Sequence, residues 1–241
     1  MNRIKQFSWR RLGLFIKSDL VMNFSKIFTF GLTIFVVLFL YGLVGFSELG
    51  AGNFHLGLFA LVLFGGGLWL TSHSFADLHD QERNQNFLLL PASNLEKLLG
   101  RLLLTTVGYI IGIVLIFYVV SLLIAGLTWL SFGKTSVIFQ PIHKDIMEYF
   151  VIYIFYQSLF FLGAIYFKSS NFNKTILCFC GVILGFVLAA SSIFVIFLGS
   201  FFFDWWQVLE LYGKTIQLVL TIVVPPCAWL ITYLRLYESE I

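Results

Sequence analysis

Glu82-Arg83-Asn84-Gln85-Asn86-Phe87-Leu88-Leu89-Leu90-Pro91-Ala92-Ser93-Asn94-Leu95-Glu96-Lys97-Leu98-Leu99-Gly100-Arg101-Leu102-Leu103 is a polar passage that runs directly into a lipid-soluble one. Together with the residues just before it, it forms a polar island, 72–101, between two long apolar runs. Four of the chain's 12 acidic residues and two of its 4 histidines fall in this island. A chain otherwise this apolar gathers polar side chains where they face water, and a partner is expected there.

The surroundings make the contrast. The chain has 241 residues, of which 59% are hydrophobic and only 11% charged, with 29 phenylalanines. Soluble domains carry about 25% charged residues, so the composition predicts an all-α, polytopic membrane protein. A spanning helix needs ~20 mostly apolar residues. Six runs meet that length, near Ile27–Phe46, Phe54–Ser72, Leu102–Leu130, Met147–Phe167, Thr175–Phe203 and Thr215–Leu234. The third and fifth exceed one bilayer thickness and are expected to tilt, kink or project.

Lys and Arg are retained on the cytoplasmic side. With the amino terminus inside, 12 of the 15 basic residues lie inside, leaving Lys134, Lys144 and Lys214 outside. Both termini are therefore expected in the cytoplasm. The organisation that follows is a single transmembrane domain over 1–241. It comprises an interfacial helix (1–26), spans one and two (27–72), a cytoplasmic region (73–101), spans three to six (102–234) and a cytoplasmic tail (235–241). In residues 3–24, Arg3, Gln6, Arg10 and Lys17 share one face at helical spacing, opposite Ile4, Leu12, Phe15 and Ile16, as in a helix lying among lipid headgroups.

The net charge of +3 is spread along the flanks of spans and forms no basic stripe, so no nucleic-acid partner is expected. Cys178, Cys180 and Cys227 are odd in number and fall within spans, which argues against a disulfide framework. Residues 1–26 are too charged for the apolar core of a signal peptide. Gly108 with Gly112, and Gly181 with Gly185, form GxxxG pairs that suit close helix approach; Gly42 with Gly45 and Gly65-Gly66-Gly67 offer further small surfaces. Pro225-Pro226 should kink the sixth span. The aromatic segment 201–214 before it suits the outer membrane boundary.

Catalytic chemistry has little support. His73, Asp77 and Asp80 share a helix face, with His79 nearby, and such a set can hold a divalent cation. The stronger reading is a solvated helix end, with no metal. GxSxG is absent, and His55 and His143 have no clear acidic or nucleophilic partner. GxxxxGK[ST] is also absent, so any ATP must be bound by another chain.

Leu90-Pro91-Ala92-Ser93, Glu96 and Leu98-Leu99-Gly100-Arg101-Leu102-Leu103 match, in order and spacing, a motif of type-2 ABC exporter permeases, and the chain resembles the small bacterial six-span form of that family. The motif covers about 25 residues, and the six-span layout with a basic amino-terminal helix resembles the family over the whole length. Where the family often has glycine before the leucine run, this chain has Glu82-Arg83-Asn84; Asn accepts left-handed backbone better than most residues.

The resemblance implies a non-enzymatic permease subunit in a bacterial inner membrane, without a cofactor of its own. Its partners would be ABC ATPase subunits, a second permease (the same chain or a different one) and lipid. It implies an ATPase-coupling element formed by Phe87, Leu88, Leu89, Leu90, Pro91, Ser93 and Glu96. The residues give that element a physical form. Pro91 disfavours helix at Leu90, Ser93 can cap a helix beginning at Asn94, and Glu96 then occupies the third position of a capping box. The alternatives are an intramembrane metal-dependent hydrolase using His73, Asp77 and His79, or a non-transporting scaffold. The transported substrate is not encoded in any motif.

Overall fold

The structure is a computed structural model that describes residues 7–44, 52–76, 93–133, 138–167, 171–197 and 202–239. Among them there is no strand. The helices are α1 (Trp9–Val44), α2 (Gly52–Ser72), α3 (Asn94–Leu103), α4 (Tyr109–Phe132), α5 (Lys144–Tyr166), α6 (Asn171–Phe197) and α7 (Phe202–Ser239), with a π-helical turn at Leu104–Gly108 joining α3 to α4. Long apolar runs dictate this outcome, because in lipid each backbone N–H and C=O must be bonded within the segment.

Four helices are long and apolar enough to cross a membrane: Trp9–Leu43, Asn94–Ser131, Lys144–Tyr166 and Gln217–Glu238. The remaining two expected spans fall in α2 and α6, where the shorter apolar stretches Leu56–Ser72 and Phe172–Val182 are described. The described residues are thus helical, with the length and apolar composition of a membrane protein.

Two boundaries differ in kind from the sequence expectation. The amphipathic start of the chain and the first span are one unbroken helix, α1, of 36 residues. At 1.5 Å per residue it is about 54 Å long, well beyond a ~30 Å hydrocarbon core. The aromatic segment from Phe202 onward is likewise the beginning of α7, which continues through Pro225 and Pro226 to Ser239. α4 stops at Gly133, whose φ of 64° is open to glycine at no steric cost, and its N–H donates to the Trp129 carbonyl at 2.9 Å.

The chain divides into two units. The first comprises Met1–Thr71 with Leu88–Ile154. Its core joins Leu38 of α1, Phe59 and Leu63 of α2, Tyr109, Ile113, Phe117, Val120 and Ile124 of α4, and Ile146 and Tyr153 of α5, with Phe139. Phe59 is fully buried, its ring centre 5.2 Å from Phe117 and 5.3 Å from Phe139. The small residues that matter here are Gly42, against Ile124, and Gly66 and Gly67, against tyrosine rings. The GxxxG glycines do not make close contacts: a Cβ at Gly112, Gly181 or Gly185 would meet nothing within 4 Å.

The second unit comprises Ser72–Phe87 with Phe155–Ile241. Phe75 packs edge-on to Phe161 with ring centres 5.0 Å apart, Phe160 meets Phe172 at 5.6 Å, and Tyr156 meets Phe179 at 5.8 Å. The Arg235 guanidinium lies over the Tyr166 ring, 5.4 Å from its centre. Cys178, Cys180 and Cys227 are free thiols.

Candidate functional site

The capping box expected at Ser93 and Glu96 is present. Ser93 is extended, with φ −70° and ψ 157°, and its Oγ accepts the Glu96 N–H at 3.3 Å. The Glu96 carboxylate reaches back, Oε2 accepting the Ser93 N–H at 2.8 Å. Two otherwise unbonded donors at the start of α3 are thereby satisfied.

The same carboxylate also closes a second helix. Its Oε1 accepts the Ser8 N–H at 2.7 Å and faces Arg11, with Nε at 3.3 Å and Nη2 at 3.1 Å. Ser8 immediately precedes α1, and its carbonyl accepts the Leu12 N–H at 3.0 Å. One negative charge therefore sits at the amino-terminal ends of both α1 and α3, where the helix dipoles favour it. Leu12 and Phe15, the apolar face of the amphipathic start, are buried. Phe15 packs on Gly100 so closely that a Cβ there would lie 2.5 Å from the ring. This face covers protein, where the sequence reading laid it on lipid; Arg10 and Lys17 on the opposite face are exposed.

Burial of charge in α3 is unusual for a helix of 10 residues: Glu96, Lys97 and Arg101 are all buried. Burial opposes ionisation of Glu96, but the two backbone N–H donors and the Arg11 guanidinium outweigh it and hold its pKa below the ordinary value of 4.5. The carboxylate, at the polar end before the apolar run beginning at Leu102, is therefore charged at neutral pH.

A second polar cluster lies further along the same helical rod. Around the π turn, Tyr153 of α5 donates its hydroxyl to the Thr105 carbonyl at 2.8 Å, and Tyr109 donates to the Val62 carbonyl of α2 at 2.6 Å. Gly67 admits both rings: a Cβ there would lie 2.5 Å from Tyr153 and 2.7 Å from Tyr109.

Of the residues implicated in coupling, Ser93 and Glu96 are brought together, while Phe87, Leu88, Leu89, Leu90 and Pro91 lie outside the described residues. So do Asp77, His79 and Asp80; His73 is exposed. Among the described residues no group of three or more His, Cys, Asp or Glu is placed to hold a metal ion. His143 does have an acidic neighbour, contrary to expectation: Asp145 Oδ2 lies 3.4 Å from its Nδ1, both side chains being about half exposed at the start of α5.

Ser8 and Arg11 are the partners of Glu96 that sequence reasoning missed. Arg11 counted there only as a positive flank. A signal existed, since an acid beside an apolar helix entrance needs a counter-charge, but several basic residues could have supplied it. The assembled cluster joins helix ends and fixes the direction in which α3 leaves α1. No family model, curated protein or solved structure matches the chain.

Proposed function

We propose that the chain is a permease subunit of a type-2 ABC exporter, with six spans and both termini in the cytoplasm of a bacterial inner membrane. It forms the translocation path with a second permease, and two separate ATPase chains bind and hydrolyse ATP. The observation that supports this reading best is the Ser93–Glu96 capping box. It stands in the resemblance motif, at the start of a continuous helical rod leading into the membrane, and Glu96 binds that start to α1. A push on the segment before Ser93 would then be delivered to two membrane helices together. Because the Glu96 carboxylate is wholly engaged internally, its role in this reading is to position the segment, while Leu88, Leu89 and Leu90 touch the ATPase. Replacing those three leucines with serine tests it. The variant should insert normally and lose the ATPase chain that accompanies the unaltered protein in mild detergent. Undiminished co-purification would place the docking element elsewhere.

A further inference from the structure

The geometry points to Leu104–Gly108 as a register switch between the membrane helix α4 and the charged helix α3. A π turn accommodates one residue more than the α-helix it interrupts. One residue of α-helix corresponds to a rotation of about 100°. The face that α3 shows to α1 thus depends on whether this turn is π or α. In the observed π state, Gly100 meets Phe15 and Glu96 meets Ser8 and Arg11. If the turn became α-helical with α4 held in place, α3 would rotate by one residue. Arg101 would then occupy the place of Gly100, and Glu96 would leave the start of α1.

Two sets of hydrogen bonds oppose one another across this turn. The π state is held by the Tyr153 hydroxyl on the Thr105 carbonyl; Thr105 Oγ1 donates to the Arg101 carbonyl at 2.8 Å, four residues back as in an α-helix, and favours neither state. Against it stands Thr106, which is buried with a hydroxyl that has no hydrogen-bond partner. Buried threonines in the regular helices behave differently. Thr71, Thr128 and Thr232 each donate to the carbonyl four residues back, at 2.7, 2.7 and 2.8 Å. An α-helical turn would give Thr106 the same acceptor, the Leu102 carbonyl. The π state gains the Tyr153 bond and leaves Thr106 unsatisfied; the α state reverses both. Such opposed bonding is what a two-state element needs. Tyr153 sits on Gly67 of α2, so a displacement of α2 against α5 would reach the turn through that ring. The device does not depend on which partner docks at the far end.

Disulfide trapping in the full-length chain, reconstituted in lipid nanodiscs with Cys178, Cys180 and Cys227 replaced by serine, tests this. Phe15→Cys combined with Gly100→Cys reports the π register, and Phe15→Cys with Arg101→Cys reports the α register. In the otherwise unaltered chain the 15/100 pair should cross-link in preference. Tyr153→Phe should move the ratio of yields at least threefold toward 15/101, and adding Thr106→Val, which cannot use the new acceptor, should restore it. Thr106→Val alone should lower the 15/101 yield below its starting level. A ratio unmoved by Tyr153→Phe, a parallel fall in both pairs, or no restoration by Thr106→Val would overturn the switch.

Discussion

α3 and α4 are neighbouring stretches of one helical rod, parted only by the π turn, and they handle burial in opposite ways. α3 hides Glu96, Lys97 and Arg101, while the buried face of α4 is Tyr109, Ile113, Phe117, Val120 and Ile124. The Glu96 carboxylate can be buried in α3 because two helix ends converge there and supply the N–H groups that it needs. No such ends exist along α4. Its buried Ser121 and Thr128 bond to their own helix, Ser121 to the Tyr118 carbonyl at 2.8 Å. The buried carboxylate is thus kept where helices start, and neutral hydroxyls where they pass one another.

The sharpest way to break this contrast is Glu96→Lys. It removes the acceptor of the Ser8 and Ser93 N–H groups and sets a cation against Arg11. Losing one partner of a buried pair costs about 3–5 kcal/mol. Arg11 is 29% exposed and can turn toward water, so the lower end is expected, read as thermal unfolding in detergent. A loss under about 1 kcal/mol, within the range of ordinary substitutions, would mean that the junction is decorative.

Next comes the neutral side of the comparison. Gly67→Ala forces a methyl group into the Tyr109 and Tyr153 rings, and overpacking of this kind costs about 1–3 kcal/mol. Gly65→Ala is the internal control, since its Cβ would meet nothing within 4 Å; it should be neutral or stabilise by up to about 1 kcal/mol through helix propensity. Equal effects at the two positions would show that backbone freedom matters there and ring contact does not. Ser93→Ala should cost about 1 kcal/mol, the usual value of a side-chain cap, and a comparable loss from Ser121→Ala would erase the distinction between ends and middles.

The smallest effect is in acid. Because the folded fold holds the Glu96 pKa below 4.5, its stabilisation is complete above that value and is lost as the pH falls through the lowered one. The stability difference between the unaltered chain and Glu96→Gln should be flat from about pH 5 upward and narrow below it. A difference that instead narrowed toward neutral pH would mean a carboxylate with a raised pKa.

Much of this architecture was legible in the residues. The apolar runs announce the helices, and serine followed by glutamate three places on announces the cap at α3. The partners of that cap were not legible, because Ser8 and Arg11 stand 88 and 85 residues from Glu96 and nothing local links them. The unbroken passage of α1 from amphipathic to apolar was hidden for another reason. A change in polarity along a helix leaves the backbone unaltered, so it carries no boundary signal. The π turn was equally silent: Leu104-Thr105-Thr106-Val107-Gly108 would serve as α-helix, and the Tyr153 hydroxyl that meets the Thr105 carbonyl comes from the distant α5.

The proposed function has ATP consumed by another chain acting on this one. The most direct measurement purifies the unaltered protein from its native membrane in mild detergent and photolabels the preparation with azido-ATP. The account predicts a labelled, stoichiometric partner chain and no label on this protein. A preparation with no labelled partner, or with the label on this chain itself, would contradict it.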